Sequence, residues 1–218
     1  MKLNMIFHII FIIVSVNYLV SLFFKRGLFR DILKCFLVPL ILAIYIFSAE
    51  KILLPVVLAL VLGWAGDILL LEITDLQRFR LGLLSFLLGH ICYIIAMYGF
   101  AMPLNITVLC ISIAAAAVFG FCTLKIIRPS AEMKIPVFIY MFIILTMSVF
   151  ALQVLVSQGS PFGALVFAGS LCFLVSDSLL AFDTFRKKTT AGYFMVMLTY
   201  IAAQFLITLG FCAGSFAA

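Results

Sequence analysis

The sequence predicts an all-α integral membrane protein: one domain over residues 1–218, folded as a bundle of eight transmembrane helices with both termini extracytoplasmic. Three observations predict it. Hydrophobic residues make up 67% of the chain and charged residues 10%, against roughly 45–50% and about 25% in soluble domains, so one aqueous core cannot hide this much apolar surface. The apolar residues fall into eight runs close to the about 20 residues that a spanning helix needs. Basic residues crowd onto alternate connections between those runs.

The first run, 5–24, is too long for the apolar part of a signal peptide and shows no small-residue cleavage site. Lys25, Arg26, Arg30 and Lys34 follow it, as they would a retained first helix. The second and third runs, 33–49 and 52–71, are separated by Glu50-Lys51. The fourth, 81–100, begins after Arg78 and Arg80 and stops before Met102-Pro103. The fifth, 104–124, ends against Lys125 and Arg128, and the sixth, 135–156, begins after Lys134 and ends before the break from Ser157 to Pro161. Arg186, Lys187 and Lys188 divide the seventh, 162–184, from the eighth, 192–213. No connection is long enough to separate two domains.

With eight spans, one face collects twelve of the 14 basic residues and the other only Lys2 and Lys51. The positive-inside rule makes the rich face cytoplasmic and sends both termini outward. The expected location is a cell membrane: the inner membrane of a bacterium, or the endoplasmic reticulum of a eukaryote. An internal echo joins Gly66-Asp67-Ile68-Leu69-Leu70 in the third span to Ser176-Asp177-Ser178-Leu179-Leu180 in the seventh. Four spans per half would make two parallel repeats about an axis along the membrane normal.

Several function classes drop out. The net charge of +6 lies in loops rather than in an aromatic-interleaved patch, so no nucleic-acid partner is expected. Six cysteines lie inside apolar runs without a Cys-x-x-Cys pair and read as small buried hydrophobes. There is no Gly-x-Ser-x-Gly elbow, P-loop or His-Glu-x-x-His. His8 sits near the outer end of its span, leaving His90 alone at depth, so neither a metal nor another cofactor is expected.

Of the eight acidic residues, Glu50 falls in an outer connection, and Asp31, Glu72, Asp75, Glu132 and Asp183 in or beside cytoplasmic ones. Asp67 and Asp177 alone are enclosed by apolar sequence. A carboxylate in hydrocarbon costs a few kcal/mol at least, which makes both candidates for function. At about 1.5 Å per residue, Asp67, Asp177, His90 and Gln204 lie roughly 7, 12, 14 and 18 Å from the cytoplasmic ends of their spans. His90 with Tyr93, and Tyr200 with Gln204, each share a helix face. The third, fourth, seventh and eighth spans are therefore expected to line one cavity. Gly63, Gly66, Gly169, Ser170 and Ser176 allow close helix packing beside the aspartates.

The runs Gly66-Asp67-x-x-Leu70, Gly82-x-x-x-Phe86-x-x-x-His90-x-x-Tyr93, Pro136-Val137-x-x-Tyr140-Met141, Phe173-x-x-Ser176-Asp177-x-x-Leu180-Ala181 and Tyr200-x-x-Ala203-Gln204 together resemble the lysoplasmalogenase family of eight-span membrane proteins, in its order and spacing from about residue 34 to 210. The resemblance implies hydrolysis of the vinyl-ether bond of lysoplasmalogens, with Asp67 and Asp177 catalytic. Its motifs add Tyr140 and Ser176 to His90, Tyr93, Tyr200 and Gln204 as residues that bind or orient a single-chain ether lysophospholipid drawn from the membrane lipid. The chain departs from the family at Val38-Pro39-Leu40, where Lys-Pro-Leu is frequent; any head-group role of that lysine would pass to Lys34, one turn away.

The residues suit that reaction. Protonating the alkene carbon of a vinyl ether produces an oxocarbenium cation that water captures, and two carboxylates in a low-dielectric site titrate as a coupled pair that can supply an acid and an anion. Glycosidases meet a related cation with two carboxylates. Which aspartate takes which role stays open at this point, as does an alternative in which the same pair relays protons in a proton-coupled transporter or lipid flippase.

Overall fold

The computed structural model describes residues 2–24, 27–71, 75–187 and 189–214, with Lys2 and Leu3 described through their backbone alone. Lys25, Arg26, Glu72 and Lys188, among the charges that mark connections above, lie outside the described residues. The chain runs through α1 (Lys2–Ser21), α2 (Leu28–Ser48), α3 (Leu54–Leu69), α4 (Leu76–Tyr98), α5 (Ile106–Ile127), a 3-10 turn at Ala131–Met133, α6 (Lys134–Gln158), α7 (Pro161–Phe185) and α8 (Thr190–Ala213), with no strand among the described residues. Local chemistry sets several of these limits. The Asp75 carboxylate accepts from the backbone N–H groups of Gln77 and Arg78 at the start of α4. Asn105 and Thr189 cap α5 and α8 in the same way, each satisfying a donor that the first helical turn leaves unpaired. Proline occupies the first turn of α3 and of α7, where its missing N–H costs nothing.

Seven helices are long and apolar enough to cross a membrane; α3, at 16 residues, is shorter. This revises the depth arithmetic. Helix α3 stops two residues beyond Asp67, while α4 begins at Leu76 and α8 at Thr190, earlier than hydropathy suggests because polar residues extend both helices past their apolar stretch. Asp67 thus sits in the last turn of its helix, and His90 and Gln204 well inside theirs.

Two helix pairs form the heart of the bundle, α3 against α4 and α7 against α8. Glycines let them close. A Cβ on Gly89 would stand 3.3 Å from the Ala59 carbonyl of α3, and one on Gly169 would stand 3.0 Å from the Ala203 carbonyl of α8. Helix α2 lies against α3 and α8, and α6 against α7 and α4, so each pair is flanked by the helix that precedes it and that helix also reaches the other pair. At one end of the bundle, Arg80 bridges to Glu132 at 3.1 Å and Arg186 Nε donates to the Ile126 carbonyl at 2.6 Å. At the other, the Gln153 side chain exchanges two hydrogen bonds with the Asn105 backbone. The cysteines correct the sequence reading: all six are free, none is fully buried, and Cys110 and Cys122 lie on the outer face of α5, where an apolar thiol can sit as well as in a core.

Candidate functional site

Asp67 and Asp177 line one cleft, together with Lys34, Phe86, Ser176, Leu180, Tyr193 and Tyr200 among others. Its free space is about 30 Å³, enough to hold a water molecule. Each carboxylate terminates a chain of hydrogen-bond donors. Tyr93 Oη donates to Gln204 Oε1 at 2.8 Å, Gln204 Nε2 donates to Tyr200 Oη at 3.4 Å, and Tyr200 Oη donates to Asp67 Oδ2 at 2.7 Å. The other oxygen of Asp67 faces Lys34 Nζ at 3.6 Å, the two side chains being 3% and 5% exposed. Asp67 lies at the end of α3 where the helix dipole is negative, so the ammonium offsets both the carboxylate and the unpaired carbonyls beside it.

Asp177 is held differently. Tyr140 Oη donates to its Oδ2 at 2.6 Å, and His90 Nε2 lies 3.1 Å from Tyr140 Oη and 3.4 Å from the same Oδ2. Because the tyrosine proton is committed to Asp177, the contact between His90 and Tyr140 needs the histidine to donate through Nε2. Its Nδ1 is buried without a partner among the described residues. Oδ1 of Asp177 makes no hydrogen bond among them either. At 14% side-chain exposure, Asp177 is more open than Asp67.

The two networks cross between helix pairs. Tyr200 on α8 serves Asp67 on α3, and His90 on α4 serves Asp177 on α7. Tyr200 and Gln204, placed on one face by their spacing, do act together. His90 and Tyr93 also share a face but divide between the networks. Tyr140 joins from α6, a helix outside the expected four. Ser176 lines the cleft, and its hydroxyl donates to the Val196 carbonyl at 3.0 Å, tying α7 to α8 and leaving the oxygen able to accept. Lys34, counted above as a charge of the basic face, instead stands buried at the heart of the site. Its signal was present: Ile32-Leu33 and Cys35-Phe36 enclose it as apolar sequence encloses the aspartates. Tyr193, which lines the same cleft as Lys34, had no comparable sign.

Glycine makes room for these side chains. A Cβ on Gly63 would stand 2.8 Å from Gln204 Nε2 and 3.7 Å from Tyr200 Oη. Gly63→Ala is expected to displace the amide that links Tyr93 to Tyr200, destabilising the bundle by about 1–3 kcal/mol. Thermal unfolding of the variant beside the parent protein checks it.

The YhhN family matches residues 29–211. The chain is 34% identical over 128 residues to the protein named lysoplasmalogenase TMEM86B of Homo sapiens, a stretch covering 59% of this chain and 51% of that protein. Against the protein of the same name from Rattus norvegicus it is 29% identical over 133 residues, covering 61% and 52%. The chain thus spans about half the length of these curated relatives. No solved structure matches it.

Proposed function

Because the chain belongs to the YhhN family, we propose that it hydrolyses the vinyl-ether bond of lysoplasmalogens, single-chain ether lysophospholipids, to a fatty aldehyde and glycerophosphocholine or glycerophosphoethanolamine. The names of its relatives support this reading. The observation that carries it is the meeting of two carboxylates with unlike surroundings in one cleft. Asp67 is the anion, with both oxygens engaged by Lys34 and Tyr200. Asp177, with an uncommitted oxygen and a Tyr140–His90 pair behind it, is the acid.

Asp177 transfers its proton to the alkene carbon remote from the ether oxygen, forming a C–H bond and leaving an oxocarbenium cation. Asp67 stabilises that cation without reorganising, since its partners already hold it in place. A water adds to the cationic carbon and passes its proton to Asp177. The hemiacetal then breaks its bond to the glycerol oxygen, which takes up that hydroxyl's proton as the carbonyl forms. One water is consumed and no electrons are exchanged. His90 and Tyr140 are positioning residues that fix the orientation of Asp177 and bear part of its charge. His90→Gln and Tyr140→Phe are expected to give partial losses.

In the membrane the eight helices form eight spans in two parallel repeats, with both termini outside and the site toward the cytoplasmic leaflet. The division of the remaining basic residues, eleven to two once the buried Lys34 is set aside, and the alike flanking of the two helix pairs support this. In a cysteine-free background, an impermeant thiol reagent should label Lys51→Cys but not Lys187→Cys in intact cells; the reverse pattern inverts the topology.

Purified protein in detergent, given a lysoplasmalogen, should release a fatty aldehyde detectable by mass spectrometry. Transport needs two compartments, so release in detergent excludes a transporter as the source of the signal. Binding without release from any vinyl-ether lysolipid would sink the hydrolase reading.

A further inference from the structure

A second cleft reaches the same carboxylate from another direction. It lies between α4, α6 and α7 and is lined by Leu83, Val137, Ile144, Leu174, Ala181 and Phe185, with Asp177 at its inner side. Phe86 and Leu180 line both this cleft and the one that holds Asp67, so they stand at the neck between them. The two sides differ in chemistry. Lys34, Asp67, Tyr193 and Tyr200 bring charge and hydroxyls to the first. In the second, the Ser178 hydroxyl is spent on the Leu174 carbonyl at 2.7 Å and that of Tyr140 on Asp177. Oδ1 of Asp177 is left without a hydrogen bond among the described residues.

We propose that the cleft between α4, α6 and α7 holds the hydrocarbon chain of the substrate, with Phe86 and Leu180 forming the neck beside which the scissile bond lies. The proposal rests on the lysolipid reading above and adds to it the residues that select the chain. An amphiphile with one chain matches such a site end for end: an apolar wall for the chain, a charged wall for the polar end, and Asp177 at the junction, as ligand sites combine an apolar lining with a few placed polar groups. Phe86 is the fixed side of the neck. Its ring packs where a Cβ on Gly66 would come within 2.6 Å, and it meets the Tyr200 ring edge-on at 5.7 Å between centroids. Leu180, half-buried on α7, is the side that can yield. The free space of about 30 Å³ means that a chain is admitted as these side chains turn aside. Ala181, one helical turn from Asp177, is the position at which added bulk would block the cleft.

The test uses the full chain in lipid nanodiscs and a saturated alkyl-ether lysophospholipid with a diazirine in mid-chain, which binds without a vinyl-ether bond to cleave. After irradiation, adducts mapped by mass spectrometry should fall on Leu83, Val137, Ile144 or Leu174, and Ala181→Phe should lose them. Phe185→Ala, which widens the cleft, should shift turnover toward longer chains, and it keeps the proposal testable if the larger side chain prevents folding. Adducts concentrated instead in the groove of about 600 Å³ between α5 and α6, lined by Leu109, Ala116, Phe138 and Phe142 among others, or a chain-length preference unmoved by Phe185→Ala, would overturn the assignment. Adducts in the proposed cleft without aldehyde release from any vinyl ether would uphold the chain site and remove the hydrolase reading, so the two fail separately.

Discussion

Asp67→Asn and Asp177→Asn are each expected to abolish aldehyde release while the protein stays folded and still binds a lysolipid. The amide nearly preserves shape and can still accept from Tyr200 or Tyr140, so the donor chains keep an end point. It can neither give up the acidic proton nor supply the negative charge, and loss of a general acid or base costs about 10²–10⁴-fold. Because the cation needs both groups in one step, the double variant should be scarcely slower than either single one. The two should differ in stability. Asp67→Asn leaves Lys34 buried without its counter-charge, whereas Asp177 has no lysine or arginine partner among the described residues. Turnover, lysolipid binding and thermal unfolding in one detergent separate these effects. Near-normal turnover in either variant would make that aspartate structural.

Lys34→Met should destabilise the protein by about 3–5 kcal/mol, the cost of stranding one partner of a buried ion pair. The carboxylate left behind sits at the negative end of α3 with Tyr200 as its remaining donor. Adding Asp67→Asn should recover much of that loss, since replacing both charges removes the stranded one. The coupling is read from a double-mutant cycle in unfolding free energy. Additive effects would mean that the 3.6 Å contact carries little energy. Turnover is expected to fall in Lys34→Met and not to return in the double variant, because stability is restored there without the anion.

The cost of a charge in hydrocarbon made Asp67 and Asp177 legible, and the same argument applied to Lys34 would have found it. The resemblance offered Lys34 for a head-group role and the charge pattern placed it with Arg30, Arg26 and Lys25 on the basic face; only the fold pairs it with Asp67. Helical spacing correctly joined Tyr200 to Gln204. It could not divide His90 from Tyr93, because a shared face says nothing about which neighbour each side chain meets. Ser176 lines the cleft beside Asp177, and only the fold shows that its hydroxyl also ties α7 to α8 through the Val196 carbonyl.

Membrane solvent, helical class and the two aspartates followed from the sequence alone, because composition, run length and the price of burying charge are properties of residues and their near neighbours. Tertiary structure decided the rest. It set the early end of α3, the crossing of Tyr200 to one carboxylate and His90 to the other, the burial of Lys34, and the second cleft that meets Asp177. Each depends on contacts between helices distant in the chain, such as the 133 residues separating Tyr200 from Asp67, and no local pattern encodes which helices become neighbours.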